Sequence, residues 1–321
     1  MAPLLQAFLS QHLPSCLWSN DVLYLPAPLT SAHADYLSEK GWTDGHTSSG
    51  ANAIGGASEA EARDHVIHRF TNSAARMQYV CSDPRDEQEE IRNAVFEQLA
   101  DGAIHLIDLA AGNGAGTLAI LPFIGQLRLD GLIPKLPLNV HIHAIDYSPF
   151  ALNHFFALKE KLDPWITGAG INVELTLVEC DLSILGHFNE ALEAFFADAK
   201  SKGVKRFLCT VSAITGLKKE GMEPIVDALK FTAAALGHSQ RTSSWLWAEP
   251  AVGKSWFTAL VSTVSLTMKK VAHKFFAKGE TFKLGDDSLM LPDPVERKFS
   301  WADPGGKHVQ SHVVVLTFKN S

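Results

Sequence analysis

Ile107-Asp108-Leu109-Ala110-Ala111-Gly112-Asn113-Gly114-Ala115-Gly116-Thr117 reads as a strand that ends in an acid, then a turn of small residues, then a helix beginning near Thr117. Gly112 and Gly114 allow backbone conformations and close approaches that a side chain would block, and a helix N-terminus presents free N–H groups to a ligand. Asp108 is the discriminating residue. A carboxylate at the strand end is well placed to bind a cationic group and would be an odd neighbour for a dinucleotide's pyrophosphate. A turn that only reverses the chain needs neither the acid nor three spaced glycines.

Working outward, strand and helix alternate beyond residue 103. Ile104 to Leu109, Val140 to Ile145, Val173 to Cys180, Arg206 to Val211 and Trp245 to Ala248 are short apolar runs separated by helical stretches. Such alternation predicts a parallel sheet covered on both faces. Val295 to Trp301 and His312 to Phe318, joined by Ala302-Asp303-Pro304-Gly305-Gly306, predict a closing antiparallel hairpin. The expected fold is therefore α/β, a doubly wound, seven-stranded, mostly parallel sheet over residues 101–321. Residues 1–100 read as an N-terminal helical extension. There Ser58-Glu59-Ala60-Glu61 opens a capped helix, Val66, Ile67, Phe70 and Ala74 continue it towards Tyr79, and Asp83-Pro84 starts another carrying Ile91, Val95, Phe96 and Leu99.

With 321 residues, 46% of them hydrophobic and 20% charged, the chain can bury a large core, and no apolar run approaches bilayer-spanning length. Its net charge of -7, without a basic stretch to follow a phosphate backbone, disfavours a dedicated binder of duplex DNA. The first basic residue is Lys40, so the N-terminus lacks the pattern of a secretory or mitochondrial leader, and a cytoplasmic location is expected. Cys16, Cys81, Cys180 and Cys209 form no CxxC pair and read as reduced thiols.

The acid, three residues and Gly-x-Gly-x-Gly at Asp108, Gly112, Gly114 and Gly116 resemble the first motif of the class I S-adenosylmethionine-dependent methyltransferases. The resemblance implies S-adenosyl-L-methionine as cofactor, its amino-acid moiety wrapped by this loop with Ala110 and Asn113. It places the ribose hydroxyls on Asp146, which ends the second strand and is followed by Tyr147, and the adenine amine on Asp181 beside Leu182. Gly125 to Leu138, with Pro134 and Pro137, is read as an inserted loop that lengthens the spacing from Asp108 to Asp146. Ser212, after the fourth strand, is the candidate for the substrate-facing edge, and Arg76 on the preceding helix could pair with the cofactor carboxylate. Neither an Asn-Pro-Pro-Tyr sequence nor a Pro-Cys nucleophile occurs there, so nucleobase methylation loses its two best-known signatures. The implied acceptor is a small molecule or a protein side chain, and no catalytic base is evident because the sulfonium is intrinsically activated.

Two other signals compete. Ala248-Glu249-Pro250-Ala251-Val252-Gly253-Lys254-Ser255 satisfies a relaxed phosphate-loop pattern, but Pro250 lacks an N–H and Glu249 would repel phosphate. His141 and His143 face one side of a strand as metal ligands can, yet among 14 histidines chance pairs are expected, and both read as structural. A catalytically inactive binding protein that keeps the cofactor fold is the remaining alternative.

Overall fold

Almost continuous apolar runs in the middle of the chain need cover on both faces, and in the computed structural model they form the buried centre of one sheet. The structure describes residues 12–42, 56–87, 95–214, 223–237, 242–250 and 295–320, with side chains as far as 315. Its strands are β1 (Trp18–Ser19), β2 (Val22–Tyr24), β3 (Gly102–Leu109), β4 (Leu138–Asp146), β5 (Ile171–Glu179), β6 (Arg206–Ser212), β7 (Thr242–Glu249), β8 (Val295–Ala302) and β9 (His308–Asn320). The helices are α1 (Ala27–Glu39), α2 (Glu59–His68), α3 (Phe70–Ser82), α4 (Ala115–Leu129), α5 (Pro149–Gly168), α6 (Leu185–Ser201) and α7 (Val226–Leu236).

The sheet order is β1-β2-β8-β9-β7-β6-β3-β4-β5. The five strands from β7 to β5 are parallel, and β9 runs antiparallel to both β7 and β8. The expected seven strands are thus present with the expected closing hairpin, but among the described residues the sheet has nine. The additional pair comes from the first hundred residues: β1 and β2 turn through Asn20 (φ 53°) and Asp21 (φ 62°), and β2 lies parallel to β8. Strands of two and three residues carry no measurable period of alternation, so the sequence holds no sign of them.

Helices α1, α3, α4 and α5 contribute to the core on one face of the sheet, while α6 and α7 pack on the other. Besides Asp83, which closes α3 in a left-handed cap (φ 38°) and opens no helix, two boundaries differ from expectation. The stretch from residue 59 towards Tyr79 is two helices, because Arg69 (φ −122°, ψ −24°) breaks the run between α2 and α3. Ser58 does cap α2: its Oγ accepts from the Glu61 N–H, and Glu61 Oε2 accepts from the Ala57 N–H at 2.9 Å. Second, Gly125 belongs to α4, so a fifteen-residue helix and residues 130–137 together make the long spacing between Asp108 and Asp146. Buried Arg128 holds that connection by donating to the carbonyls of Leu136, Gly170 and Ala100. Residues 95–99 are helical, with Val95 and Leu99 fully buried, whereas Ile91 lies outside the described residues.

Candidate functional site at the carboxyl edge of the sheet

Strand order reverses at β3, whose neighbours are β4 on one side and β6 on the other, so a crevice opens beyond the carboxyl ends of these strands. The glycine-rich turn leaves β3 at that point. Its left-handed positions are Ala110 (φ 52°), Gly112 (φ 54°) and Gly114 (φ 75°), and Gly114 caps α4. A Cβ on Gly112 would meet nothing within 4 Å, so the turn presents bare backbone to open space there. A Cβ on Gly114 would lie 2.4 Å from the Phe155 ring, so this glycine is needed for packing against α5. Gly116 lies inside α4, where a Cβ would stand 3.1 Å from Met77 Cε and 3.0 Å from Ser212 Oγ. It permits close approach of α3 and the end of β6.

Asp108 is buried beneath the turn, where its Oδ2 accepts from Thr117 Oγ1 at 2.7 Å. Thr117 Oγ1 and Thr210 Oγ1 are 3.1 Å apart. Burial raises the carboxyl pKa to about 7; the Thr117 and Thr210 hydroxyls oppose that rise and the nearby Asp146 adds to it. Asp146, at the end of β4, accepts from the Gly112 N–H through Oδ2 and from the Ser148 N–H through Oδ1, both at 2.8 Å. It therefore ties the glycine turn to the start of α5. Burial pushes its pKa up and these two N–H groups pull it back. The helix cap at α5 is Ser148, whose Oγ accepts from the Ala151 N–H.

Tyr147 is 40% exposed on the rim, beside Ser148. A Cβ on Gly56 (φ 120°) would come within 2.8 Å of Ser148 Cβ and 3.4 Å of the Tyr147 hydroxyl, so the segment entering α2 is laid directly over this corner. Past β5, Asp181 is exposed and its Oδ1 accepts from the Ser183 N–H at 2.8 Å, while Leu182 is buried beside Cys180. Asp108, Asp146 and Asp181 thus stand at the same edge of three adjacent strands.

On the other side of the crevice, β6 ends in Ser212 and Ala213 follows with φ 58°, its N–H donating to the Ala248 carbonyl. Fully buried Glu249 closes β7: its Oε1 accepts from the Ile214 N–H at 3.0 Å and from Trp247 Nε1 at 2.6 Å. Arg76 donates from Nε to the His312 carbonyl at 3.2 Å. Burial lowers its pKa to about 10 against the opposing pull of Glu249, so it is a cation at neutral pH. Arg76 accordingly sits with β7 and β9, two strands along from the glycine turn.

Sequence reasoning gave Glu249 no role at this edge. The available signal was a strand ending in an acid, as at Asp108 and Asp146, obscured by the phosphate-loop pattern that begins one residue earlier. Phe155 and the Thr117–Thr210 pair carried no signal, since only the packing of α4 and α5 against the sheet brings them to the turn. Ala251 to Ser255, with Lys254, lie outside the described residues.

No protein-family model matches the chain, and no curated protein matches it. Among solved structures it is similar to a precorrin-6y C5,15-methyltransferase from Geobacter metallireducens, with 12% identity, TM-score 0.31, and 72% of this chain and 89% of that one covered. A protein from Listeria monocytogenes assigned to the class I S-adenosylmethionine-dependent methyltransferases gives 11% identity and TM-score 0.37, covering 100% and 88%. A group of S-adenosylmethionine-dependent methyltransferases is represented by a protein from Methanosarcina mazei, at 12% identity and TM-score 0.26, covering 68% and 93%. Among the described residues, no helix is long and apolar enough to cross a membrane.

Proposed function

We propose that the protein transfers a methyl group from S-adenosyl-L-methionine to a small molecule or a protein side chain. The observation that carries this reading is the left-handed Ala110-Gly112-Gly114 turn at the strand-order reversal, with carboxylates at the ends of three successive strands and Gly112 tied to Asp146. The donor set suits the cofactor: open backbone at Gly112 for its amino-acid part, a carboxylate at β4 for the ribose diol, and an exposed Asp181 for an exocyclic amine.

Bound there, the cofactor would supply an activated methyl electrophile. The chain's own task is then to hold both partners in line and to keep water out. Asp108, beneath the turn, would favour a cation above it. The segment at Gly56 and the exposed ring of Tyr147 would cover the adenosine side, and Ser212 with Ile214 and Glu249 would border the acceptor side. Of the residues named from sequence, Asp108, Ala110, Gly112, Asn113, Gly114, Asp146, Tyr147, Asp181, Leu182 and Ser212 are retained as candidates in this reading. Gly116 acts through packing, and Arg76 as the cation facing Glu249 on the acceptor side.

Calorimetric titration tests the proposal. S-adenosylmethionine or S-adenosylhomocysteine should bind and raise the melting temperature, since a ligand at 100 times its Kd adds about 2.7 kcal/mol of stability. Binding of ATP with magnesium and not of adenosylmethionine would refute it and restore the phosphate-loop reading. Binding without turnover on a broad acceptor panel would leave a cofactor-fold binding protein.

A further inference from the structure

Midway along β3 and β4, on the face covered by α6, three histidines gather where the sequence suggested only a pair. In register, His105 of β3 pairs with His141 of β4, and His143 lies two residues further along β4. Their rings lie together: the centroid of His105 is 4.8 Å from that of His141 and 5.9 Å from that of His143. Asp198 of α6 and Lys202, which caps its C-terminus four residues on, reach down to them. His143 Nε2 is 3.3 Å from Asp198 Oδ2, and His105 Nε2 is 3.8 Å from the same oxygen.

We propose that His105, His143 and Asp198 form a binding site for a divalent metal ion of the zinc class, which clamps α6 to β3 and β4. One ligand atom from each of the three residues lies within 4.8 Å of the others. Ligand atoms about 2.0 to 2.1 Å from a tetrahedral zinc stand roughly 3.3 Å apart, so the two distances to Asp198 already approach the bound geometry.

The independent sign is His105. It is fully buried, and neither ring nitrogen has a hydrogen-bond partner among the described residues, an arrangement that costs stability unless something satisfies it.

The site opens to solvent past Asp198 and His141. There Lys202 Nζ lies 3.1 Å from Asp198 Oδ2, 3.2 Å from His141 Nδ1 and 2.9 Å from Glu174 Oε2, which is itself 2.9 Å from His141 Nδ1. An ammonium thus shares Asp198 Oδ2, the oxygen a metal would take. Incoming metal would displace it from Asp198 while Glu174 retained it, leaving one coordination position for water.

The test is titration of the full chain with zinc chloride against a chromogenic chelator, with cobalt(II) absorption reporting the ligand set. One equivalent should bind. His143→Gln and Asp198→Asn should each weaken binding at least tenfold, His308→Ala on the exposed part of β9 should not change it, and Lys202→Met should tighten it severalfold. A cluster of merely packed histidines would not respond to Lys202→Met in that direction. The proposal is overturned if the wild-type chain takes up no equivalent or if His143→Gln and Asp198→Asn, folded by circular dichroism, bind as before. It is equally overturned if Lys202→Met binds no more tightly.

Discussion

Asp108 offers a measurable consequence of burying a carboxylate beneath the glycine turn. Its pKa is raised from 3.8 to about 7, and the carboxyl is only 3% exposed. Between these two values the native state holds more protons than the unfolded chain, so this group's contribution to stability is fully present below about pH 4. It declines as the pH rises through 7. Integrated from pH 5 to pH 8, the shift amounts to about 2 to 3 kcal/mol of lost stability. Asn at 108 keeps the shape and a carbonyl to accept from Thr117 Oγ1 but cannot ionise. Urea unfolding of wild type and Asp108→Asn at pH 5, 6, 7 and 8 isolates the effect, because every other titrating group is common to both. The stability difference should move in favour of Asn by about 2 to 3 kcal/mol across that range. A difference that stays flat would show that Asp108 is ionised at little cost, and the account of the buried carboxyl would fail. The same linkage bears on ligand binding: a cation over the turn favours the carboxylate, so adenosylmethionine should bind up to about tenfold more tightly at pH 8 than at pH 6. That dependence should shrink in Asp108→Asn.

Gly114→Ala should destabilise by about 2 to 4 kcal/mol, adding left-handed strain to the collision with Phe155, and Phe155→Leu should recover part of the loss in a double-mutant cycle followed by thermal unfolding. Full additivity in that cycle would contradict the packing role. Asp146→Ala leaves the N–H groups of Gly112 and Ser148 without their acceptor, and should cost about 1 to 3 kcal/mol in folding as well as cofactor affinity. A 2'-deoxyribose analogue of S-adenosylhomocysteine should then lose little further affinity in Asp146→Ala; losses that add in full would remove Asp146 from the ribose. Asp181→Asn should weaken cofactor binding less than Asp146→Ala, because the exposed Asp181 side chain accepts the local Ser183 N–H bond and the amide keeps its size; the reverse order in calorimetry would overturn the adenine assignment.

The alternation of apolar runs and helical stretches was enough to specify the parallel sheet and the closing hairpin. Each element there is long enough for its period to show, and burial of the central strands on both faces leaves little choice of residue type. The turn after β3 was legible for the same local reason: an acid followed by small residues has few other uses. Which of its positions are left-handed was not, and Ala110 holds a positive φ that its sequence neighbours do not announce. The two short strands β1 and β2 exist because the edge of β8 is available to pair with them, a fact of assembly with no periodic trace. Gly114 against Phe155, Gly56 over Ser148 and Glu249 under Ile214 are contacts between elements far apart in the chain, set by how α5, α2 and β7 reach the same edge. The histidines make the contrast plainest. His141 and His143 share a face by the two-residue repeat of a strand, which the sequence alone dictates. Only the pairing of β3 with β4 and the seating of α6 across them bring His105 and Asp198 to the same point, because strand register and helix position are decided by packing of the whole core.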